Sequence, residues 1–482
     1  MDAIIKKRAH PINIIEISAK YLFLLLIPLL RGFIHIFVDK GGFYSWLQGA
    51  WIDIIVLFFI IVASLLRWHC QSYMFNKDGF VLNKGFLLRQ EIKIPSGAVS
   101  TLACKAPFWM RPFNAVHIYA DTDAGSIKST DFLITVYKQD AEFIMSYTDE
   151  AAESSVNKHY KTKWYDVAIL SILVSNTLTG VIYLAALFNR TGSILGEDFQ
   201  QKLITGIEGI TKVLTFIPET AAIISIVLIA GWLIGFIRSF FSYINFTANR
   251  CEDELTLKYG IFSKRNYICN VNSINYLDFR QNITAKILGL YIVFIQCVGY
   301  GKNDKEHSVL IPAANAKTTN HVLKELLPEF TKHTISLRPA KGSIIRFAGT
   351  PFWLSLITVG LTVLLYFLFP SWSRLILFIG IMIAIPFIWL LVVRIVDCNT
   401  SGVSNVSSFI TIRYSRRYAF HTVVAPIDKI NYVNMRSSII QKFCGNCDLI
   451  FYTYNEMGNR HHVKNVTIKE AERFVSMFNK SV

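Results

Sequence analysis

Three groups of residues have the types and spacing that chemistry needs. The first is Cys444-Gly-Asn-Cys447 with His461 and His462 downstream. Two thiolates and two imidazoles make a tetrahedral zinc donor set, and a single CxxC supplies only half of it. The competing reading is small apolar filler, because an internal alignment given below sets 444 and 447 opposite Leu288 and Tyr291, which read as packing positions. Filler is the expectation, with no metal and no cofactor. The second group is Arg31, His35 and Asp53, ionisable residues inside apolar stretches, where a charge must pair, snorkel or face the protein interior. They form an intramembrane polar site, or else the first span runs earlier, over Ile17–Leu30, and Arg31 sits at its outer interface. The third group is cationic: Lys105 with Arg111, Arg280 with Lys286, and Arg436 with Lys442, each pair six residues apart. Such pairs suit anionic lipid, which attracts each cation by about 1 kcal/mol near the surface, or contacts between domains; a solvated loop is the plain alternative. Zinc-protease helices, nucleophile elbows, phosphate-binding loops and dinucleotide fingerprints are absent from the sequence. Gly299-Tyr-Gly301-Lys302 reads as a hairpin turn. No catalytic residue is expected, and the chain is read as not an enzyme.

The elements that must position these residues begin with the membrane. Of 482 residues, 52% are hydrophobic and 17% charged, while Lys and Arg outnumber Asp and Glu by 49 to 33. That excludes disorder and an ordinary soluble domain. Six apolar clusters, at 21–38, 51–66, 167–188, 221–240, 353–369 and 375–393, approach or reach the roughly 20 residues a crossing helix needs. Lys6, Lys7 and Arg8 resemble a signal-peptide leader, but no small-residue cleavage site follows and a second span comes soon after, so the first helix is read as retained. Residues 199–217 carry Leu203, Ile207, Ile210, Leu214 and Ile217 at helical spacing, which fits an amphipathic helix in the outer interface or a cap on the bundle.

Sidedness follows from where the cations fall. Segments 1–20, 67–163, 238–346 and 394–482 hold 43 of the 49 Lys and Arg. Both termini and all three long polar regions are therefore assigned to the cytoplasm. The same accounting removes a nucleic-acid reading, since the positive excess is spread over three regions without a dense basic run. The polar regions lie in a reducing compartment, so no structural disulfides are expected.

A hairpin followed by a polar region, three times over, predicts internal repeats. Residues 274–289 align without gaps on 430–445 with seven of sixteen positions identical, and 99–114 join in the same register. Lys105 then falls opposite Arg280 and Arg436, and Arg111 opposite Lys286 and Lys442, giving two basic columns. Runs such as Ile92–Ile94, Val116–Tyr119, Phe132–Val136, Ile292–Ile295, Val309–Ile311, Phe409–Ile412 and Leu449–Tyr452 predict short strands. Helical segments at Gln139–Tyr147, Thr318–Leu327 and Ile468–Phe478 close the three regions, the last opening on a Thr467…Glu470 capping box. Each region is a partly closed sheet capped by a helix.

The order of a basic leader with His10-Pro11, a helical pair, a Lys84–Phe86 or Tyr259–Ile261 turn and the two basic columns resembles the bacterial pleckstrin-homology (PH) membrane proteins of the YdbS/YdbT type, in their long three-copy form. The third copy departs from it where Arg416 replaces the glycines at 85 and 260. The resemblance implies an α+β membrane protein with six transmembrane helices in three hairpins, each followed by a cytoplasmic PH-like β-barrel or sheet with a C-terminal helix. The expected divisions are 1–67 for the leader and first hairpin, 68–160 for the first PH-like domain, 161–241 for the second hairpin with its outer loop, 242–335, 336–396 and 397–482. It further implies a multi-pass protein of the bacterial plasma membrane without enzymatic activity. The role expected is a scaffold or accessory in envelope stress, export or antimicrobial-peptide resistance. The partners expected are anionic inner-leaflet lipids and a second copy or a shorter single-repeat relative, with no nucleic acid. The alternative is a transporter or lipid-handling protein whose hairpins enclose a pathway past Arg31, His35 and Asp53.

Overall fold

Runs of β-branched and aromatic residues broken by Gly, Asn and Asp fold into short antiparallel strands, whose alternation puts one face on a core and the other outward. A computed structural model of the protein describes residues 5–19, 21, 43–76, 78–86, 88–123, 130–149, 158–174, 219–300, 308–340, 342–406, 408–453 and 460–481. Arg31 and His35 lie outside the described residues, as does segment 199–217.

The element order repeats three times. The first unit has β1 (Ile5–Arg8), helix α1 (Phe43–His69), β2 (Ser72–Asn76), β3 (Gly79–Lys84), β4 (Gln90–Pro95), β5 (Val99–Ala106), β6 (Ala115–Thr122), β7 (Phe132–Tyr137) and α2 (Lys138–Asp149). The second has β8 (Lys158–Lys161), α3 (Trp164–Val174), α4 (Glu219–Tyr243), β9 (Thr247–Cys251), β10 (Glu254–Tyr259), β11 (Lys264–Asn270), β12 (Ile274–Asn282), α5 (Ile283–Ile287), β13 (Leu290–Cys297), β14 (Val309–Asn315) and α6 (Ala316–Leu326). The third has α7 (Ile344–Leu368), α8 (Ser373–Thr400), β15 (Gly402–Val406), β16 (Phe409–Arg416), β17 (Ala419–Pro426), β18 (Ile430–Arg436), α9 (Ile439–Phe443), β19 (Asn446–Thr453), β20 (Arg460–Thr467) and α10 (Ile468–Ser481). All seven predicted strand runs fall within strands, and the three closing helices are α2, α6 and α10. At the start of α10 the two expected capping residues are linked through their side chains, Thr467 Oγ1 donating to Glu470 Oε2 at 2.6 Å. Beneath that helix, Ala471 and Phe474 are buried against Phe451 and Val463.

Each unit bends between its third and fourth post-hairpin strands through a 3₁₀ turn, at Ser96–Ala98, Val271–Ser273 and Ile427–Lys429. A β-bulge follows each turn at the same place, between Val99 and Thr101, Ile274 and Tyr276, and Ile430 and Tyr432. Bulges bend a strand and sharpen its twist, so this device turns the second sheet of each unit across the first. The third unit keeps this register without the glycine, because β16 and β17 run longer and meet in a two-residue turn with Arg417 at φ +54°.

The sheets do not stop at the units. One seven-stranded sheet runs β7-β6-β5-β11-β10-β9-β8, and one six-stranded sheet runs β14-β13-β12-β17-β16-β15. Thus β5 of the first unit pairs with β11 of the second, and β12 of the second pairs with β17 of the third, both antiparallel. A four-stranded sheet, β1-β2-β3-β4, and a three-stranded one, β18-β19-β20, remain at the two ends. The cores interlock accordingly. Ile268 of β11 is buried with the first unit's core, Val424 of β17 with the second's, and Tyr276 of β12 with the third's.

Residues Ile5–Arg8, expected within a basic leader, form a strand instead, with Arg8 opposite Ser72. The same device recurs. Lys161 lies opposite Thr247, and Leu337 exchanges both backbone bonds with Val403 at 2.9 Å. In each unit, therefore, the chain just before the apolar segment is zipped to the chain just after it. Three described helices are long and apolar enough to cross a membrane, at Ser225–Tyr243, Ile344–Leu368 and Pro370–Thr400; Ile54–His69 and Trp164–Val174 are shorter apolar helices. Helices α7 and α8 pack so closely that a Cβ on Gly380 would stand 2.2 Å from a Thr362 methyl. Asp53 lies on α1.

Candidate functional site

The two strand joints gather most of the buried charge that the sequence singled out. In the first, β5 and β11 pair from Thr101↔Cys269 to Ala106↔Lys264, which sets Lys105 directly opposite Arg265. Both are buried, Lys105 at 4% exposure. Like charges face to face across a ladder are unfavourable, and aromatic rings offset this here. Lys105 Nζ lies 4.6 Å from the Tyr119 ring centre and 5.6 Å from that of Tyr267, while the Arg265 guanidinium lies 5.7 Å from that of Tyr259. Cations over tyrosine faces are attracted by the ring quadrupole, more strongly once desolvated. Thr101 reaches across to donate to the Val298 carbonyl at 2.5 Å. The next residue, Gly299, has φ +83°, and a Cβ there would come within 2.5–2.9 Å of the Asp121 side chain. The β13–β14 turn can approach the first unit so closely because this position is glycine.

In the second joint, β12 and β17 pair from Leu277↔Val424 to Asn282↔Ala419, which sets Arg280 directly opposite His421. The internal alignment makes this the same register as the first joint, since Arg265 and His421 each lie nine residues before the aligned Ile274 and Ile430. Here a carboxylate answers the cations. Asp278 accepts from Arg280 Nε at 2.8 Å and from His421 Nδ1 at 2.9 Å. Burial pushes the Asp278 carboxyl up, but His421 and Arg280 outweigh it and hold it well below the usual carboxylate range. The Arg280 guanidinium also lies 4.1 Å from the Phe294 ring centre. Tyr414 stacks on His421 at 5.1 Å and bonds His461 Nδ1 at 2.9 Å, while His461 Nε2 meets Thr453 Oγ1 at 3.2 Å. Burial lowers the His461 imidazole to about 4.

The second basic column also reaches forward. Arg111 donates to the Ile261 carbonyl of the second unit. Lys286 Nζ stands 4.0 Å from the Phe420 ring centre of the third unit, and burial lowers its ammonium. Arg436 and Lys442 of the third unit meet no further unit among the described residues, and Arg436 is exposed. The first column in the first two units is thus enclosed in strand joints rather than turned toward solvent. Arg265, His421 and Asp278 were not singled out from the sequence; extending the repeat register nine residues upstream would have exposed the first two.

The CxxC segment is split by burial. Cys447 is buried, which pushes its thiol up to about 11, whereas Cys444 is exposed. Both nitrogens of His461 are engaged as above, and His462 Nε2 bonds Asp448 at 3.1 Å. Among the described residues no group of three or more His, Cys, Asp and Glu converges as a metal site. Asp53 stands on a helix whose expected partners, Arg31 and His35, lie outside the described residues.

The Bacterial PH domain family model matches residues 23–154 and 203–329, more than half of the chain. The chain is 21% identical over 355 residues to the UPF0699 transmembrane protein YdbT of Bacillus subtilis (strain 168), covering 67% of this chain and 70% of that protein. No solved structure matches. The third unit lies beyond the family model's matches but repeats the strand order, 3₁₀ turn and bulge of the first two. This is a YdbT-like transmembrane protein, and the chain belongs to the bacterial PH domain family.

Proposed function

We propose that the protein is a non-enzymatic membrane scaffold in which three PH-like units are fused by strand pairing into one stiff cytoplasmic platform. The observation that carries this is the pair of continuous sheets across unit boundaries in one register. A chain of independent binding modules would need flexible linkers, whereas backbone ladders with interlocked cores hold the units at fixed spacing. The zipped strands favour the three-hairpin arrangement. The pairs Arg8 with Ser72, Lys161 with Thr247, and Leu337 with Val403 support a chain that leaves and returns on one side, with each apolar stretch crossing an even number of times. Six spans with both termini in the cytoplasm is the simplest such count. Of the two contacts expected of the basic columns, interdomain clamping is the one we assign to Lys105, Arg111, Arg280 and Lys286. Anionic-lipid contact is assigned to the face carrying exposed Phe108, Trp109 and Phe113, ring types that favour the membrane interface.

The cellular role is that of an accessory in envelope stress, export or antimicrobial-peptide resistance. A deletion strain challenged with membrane-active peptides and complemented by Asp278→Ala tests it. That change opens the second joint while leaving the membrane segments untouched, so complementation should be lost at unchanged protein level. Full complementation by a chain whose joint is demonstrably open would remove the platform reading.

A further inference from the structure

Among the described residues the array has two edge strands, and they differ. By the internal alignment, β4 occupies in the first unit the place of β11 and β17, and β18 occupies in the third the place of β5 and β12. Neither β4 nor β18 has a second strand neighbour among the described residues. Carrying the common register over would set Arg436 opposite Gln90 and Val433 opposite Lys93. The equivalent pairs in the joints are Leu102 with Ile268 and Leu277 with Val424. At the one place where both incoming strands bury a β-branched aliphatic residue in the preceding core, β4 carries a lysine. A charged residue on an edge strand blocks further pairing, and Glu91, 3.5 Å from Lys93, adds to it. The β4 end is closed.

The β18 end is prepared for pairing. Val433 and Met435 pack only partly against the third core, and Arg436 repeats the column that Lys105 and Arg280 bring into the joints. Beside it, α9 leaves Ile439 77% exposed, whereas its counterpart Ile283 on α5 is 9% exposed. Ile283 is covered by Phe420 of the following unit's strand and by Val393 of that unit's membrane helix α8. Whatever covers Ile439 by the same rule brings a strand and a membrane helix together.

We propose that β18 with α9 is a docking edge for a unit of this same architecture carried by a different membrane-anchored chain. The incoming strand runs antiparallel to β18 and places a β-branched aliphatic residue opposite Val433. A second copy of this chain does not qualify, because Lys93 stands at that place. This takes up the scaffold reading by naming the kind of partner, but the edge stands or falls on its own geometry.

Two tagged full-length chains co-expressed in one membrane test it, one with Arg436→Cys and the other with Gln90→Cys. Residues directly opposite have Cβ atoms about 4.5–5.5 Å apart, near enough for a disulfide after small adjustment. With Lys93→Ile added to the second chain, its β4 acquires the missing residue, and oxidation should give a mixed disulfide at about five-fold or more over the single-cysteine backgrounds. With Lys93 retained the bridge should stay at background. No bridge with Lys93→Ile overturns the docking edge. Equal bridging with Lys93 retained overturns the choice of partner in favour of a second copy. Equal bridging when the cysteine is moved from Arg436 to Asn431 shows mere collision and also overturns it. None of these readouts depends on complementation, so the platform can fail while the edge survives, and the reverse.

Discussion

The two joints share a backbone and differ in chemistry. Both align the same strand positions antiparallel, and both put a cation of the first column opposite a basic or imidazole side chain. In the first joint the charges rest on tyrosine faces; in the second a buried carboxylate binds Arg280 and His421 together. The ladder and the exchanged core residues are common to both, so they set the geometry, and the buried charges are local solutions to one problem. A ladder of backbone bonds can carry either solution. The joints should then respond differently when their side chains are changed.

The largest difference is expected at Asp278. Asp278→Ala leaves half-buried Arg280 and buried His421 without their anion, and removing one partner of a buried pair costs up to about 3–5 kcal/mol. Hydrogen–deuterium exchange on the full chain should show residues 277–282 and 419–424 losing protection, while 101–106 and 264–269 keep theirs. Equal loss at both ladders would mean that the platform opens as one body and that the joints are not separate.

What the sequence disclosed follows the range of the interactions involved. Strand runs, closing helices and the repeat register are local patterns, and each appears where the residues indicated. The basic columns were visible too, because two cations at fixed spacing survive alignment. Their surroundings were not. Lys105 is enclosed only because β11, about 160 residues later, pairs with β5, and nothing near Lys105 encodes that partner. The strand at Ile5–Arg8 was hidden for the same reason, since three basic residues at an edge resemble a leader until Ser72–Phe75 is seen to pair with them. Asp278 was hidden in a different way. It is one of the positions at which the two best-aligned copies differ, with Asn434 in its place, so a search for repeated columns passes over it.

A smaller contrast is set by pH. The buried His461 imidazole is held at about 4 against an ordinary 6.5, with Tyr276, Tyr414, His421 and Asp278 of the second joint around it. The unfolded chain takes up a proton near pH 6.5, whereas the folded one does so only near pH 4. Stability from this group is complete above about pH 6.5 and is lost as pH falls toward 4, by up to about 3 kcal/mol for the full shift. The Asp278 carboxyl, held below its ordinary range, stays ionised in the folded chain through this window and adds its own loss only below about pH 5, where the unfolded chain begins to protonate it. Exchange protection at 277–282 and 419–424 should therefore decline between pH 6.5 and 4 in the native chain, and His461→Gln should flatten that decline. An identical decline in the variant would assign the pH response elsewhere.

The smallest effect should come from Lys105→Met. The substitution gives up cation–ring attraction, about 0.5–2 kcal/mol by analogy with other sites. It also removes a cation facing Arg265 across the ladder, where like charges destabilise by a comparable amount. The methionine keeps the length of the side chain and can lie against the same tyrosines. The ladder from Thr101 to Ala106 is made by backbone groups that the change does not touch. These two terms oppose each other, and exchange protection of 101–106 should shift by less than Asp278→Ala shifts its own ladder. Arg280→Met supplies the counterpart, because it leaves Asp278 buried with His421 alone and should approach the cost of losing Asp278 itself. If Lys105→Met opened its joint as far as Arg280→Met opens the other, the buried cation would be holding the first joint too, and the ladder alone would not be enough.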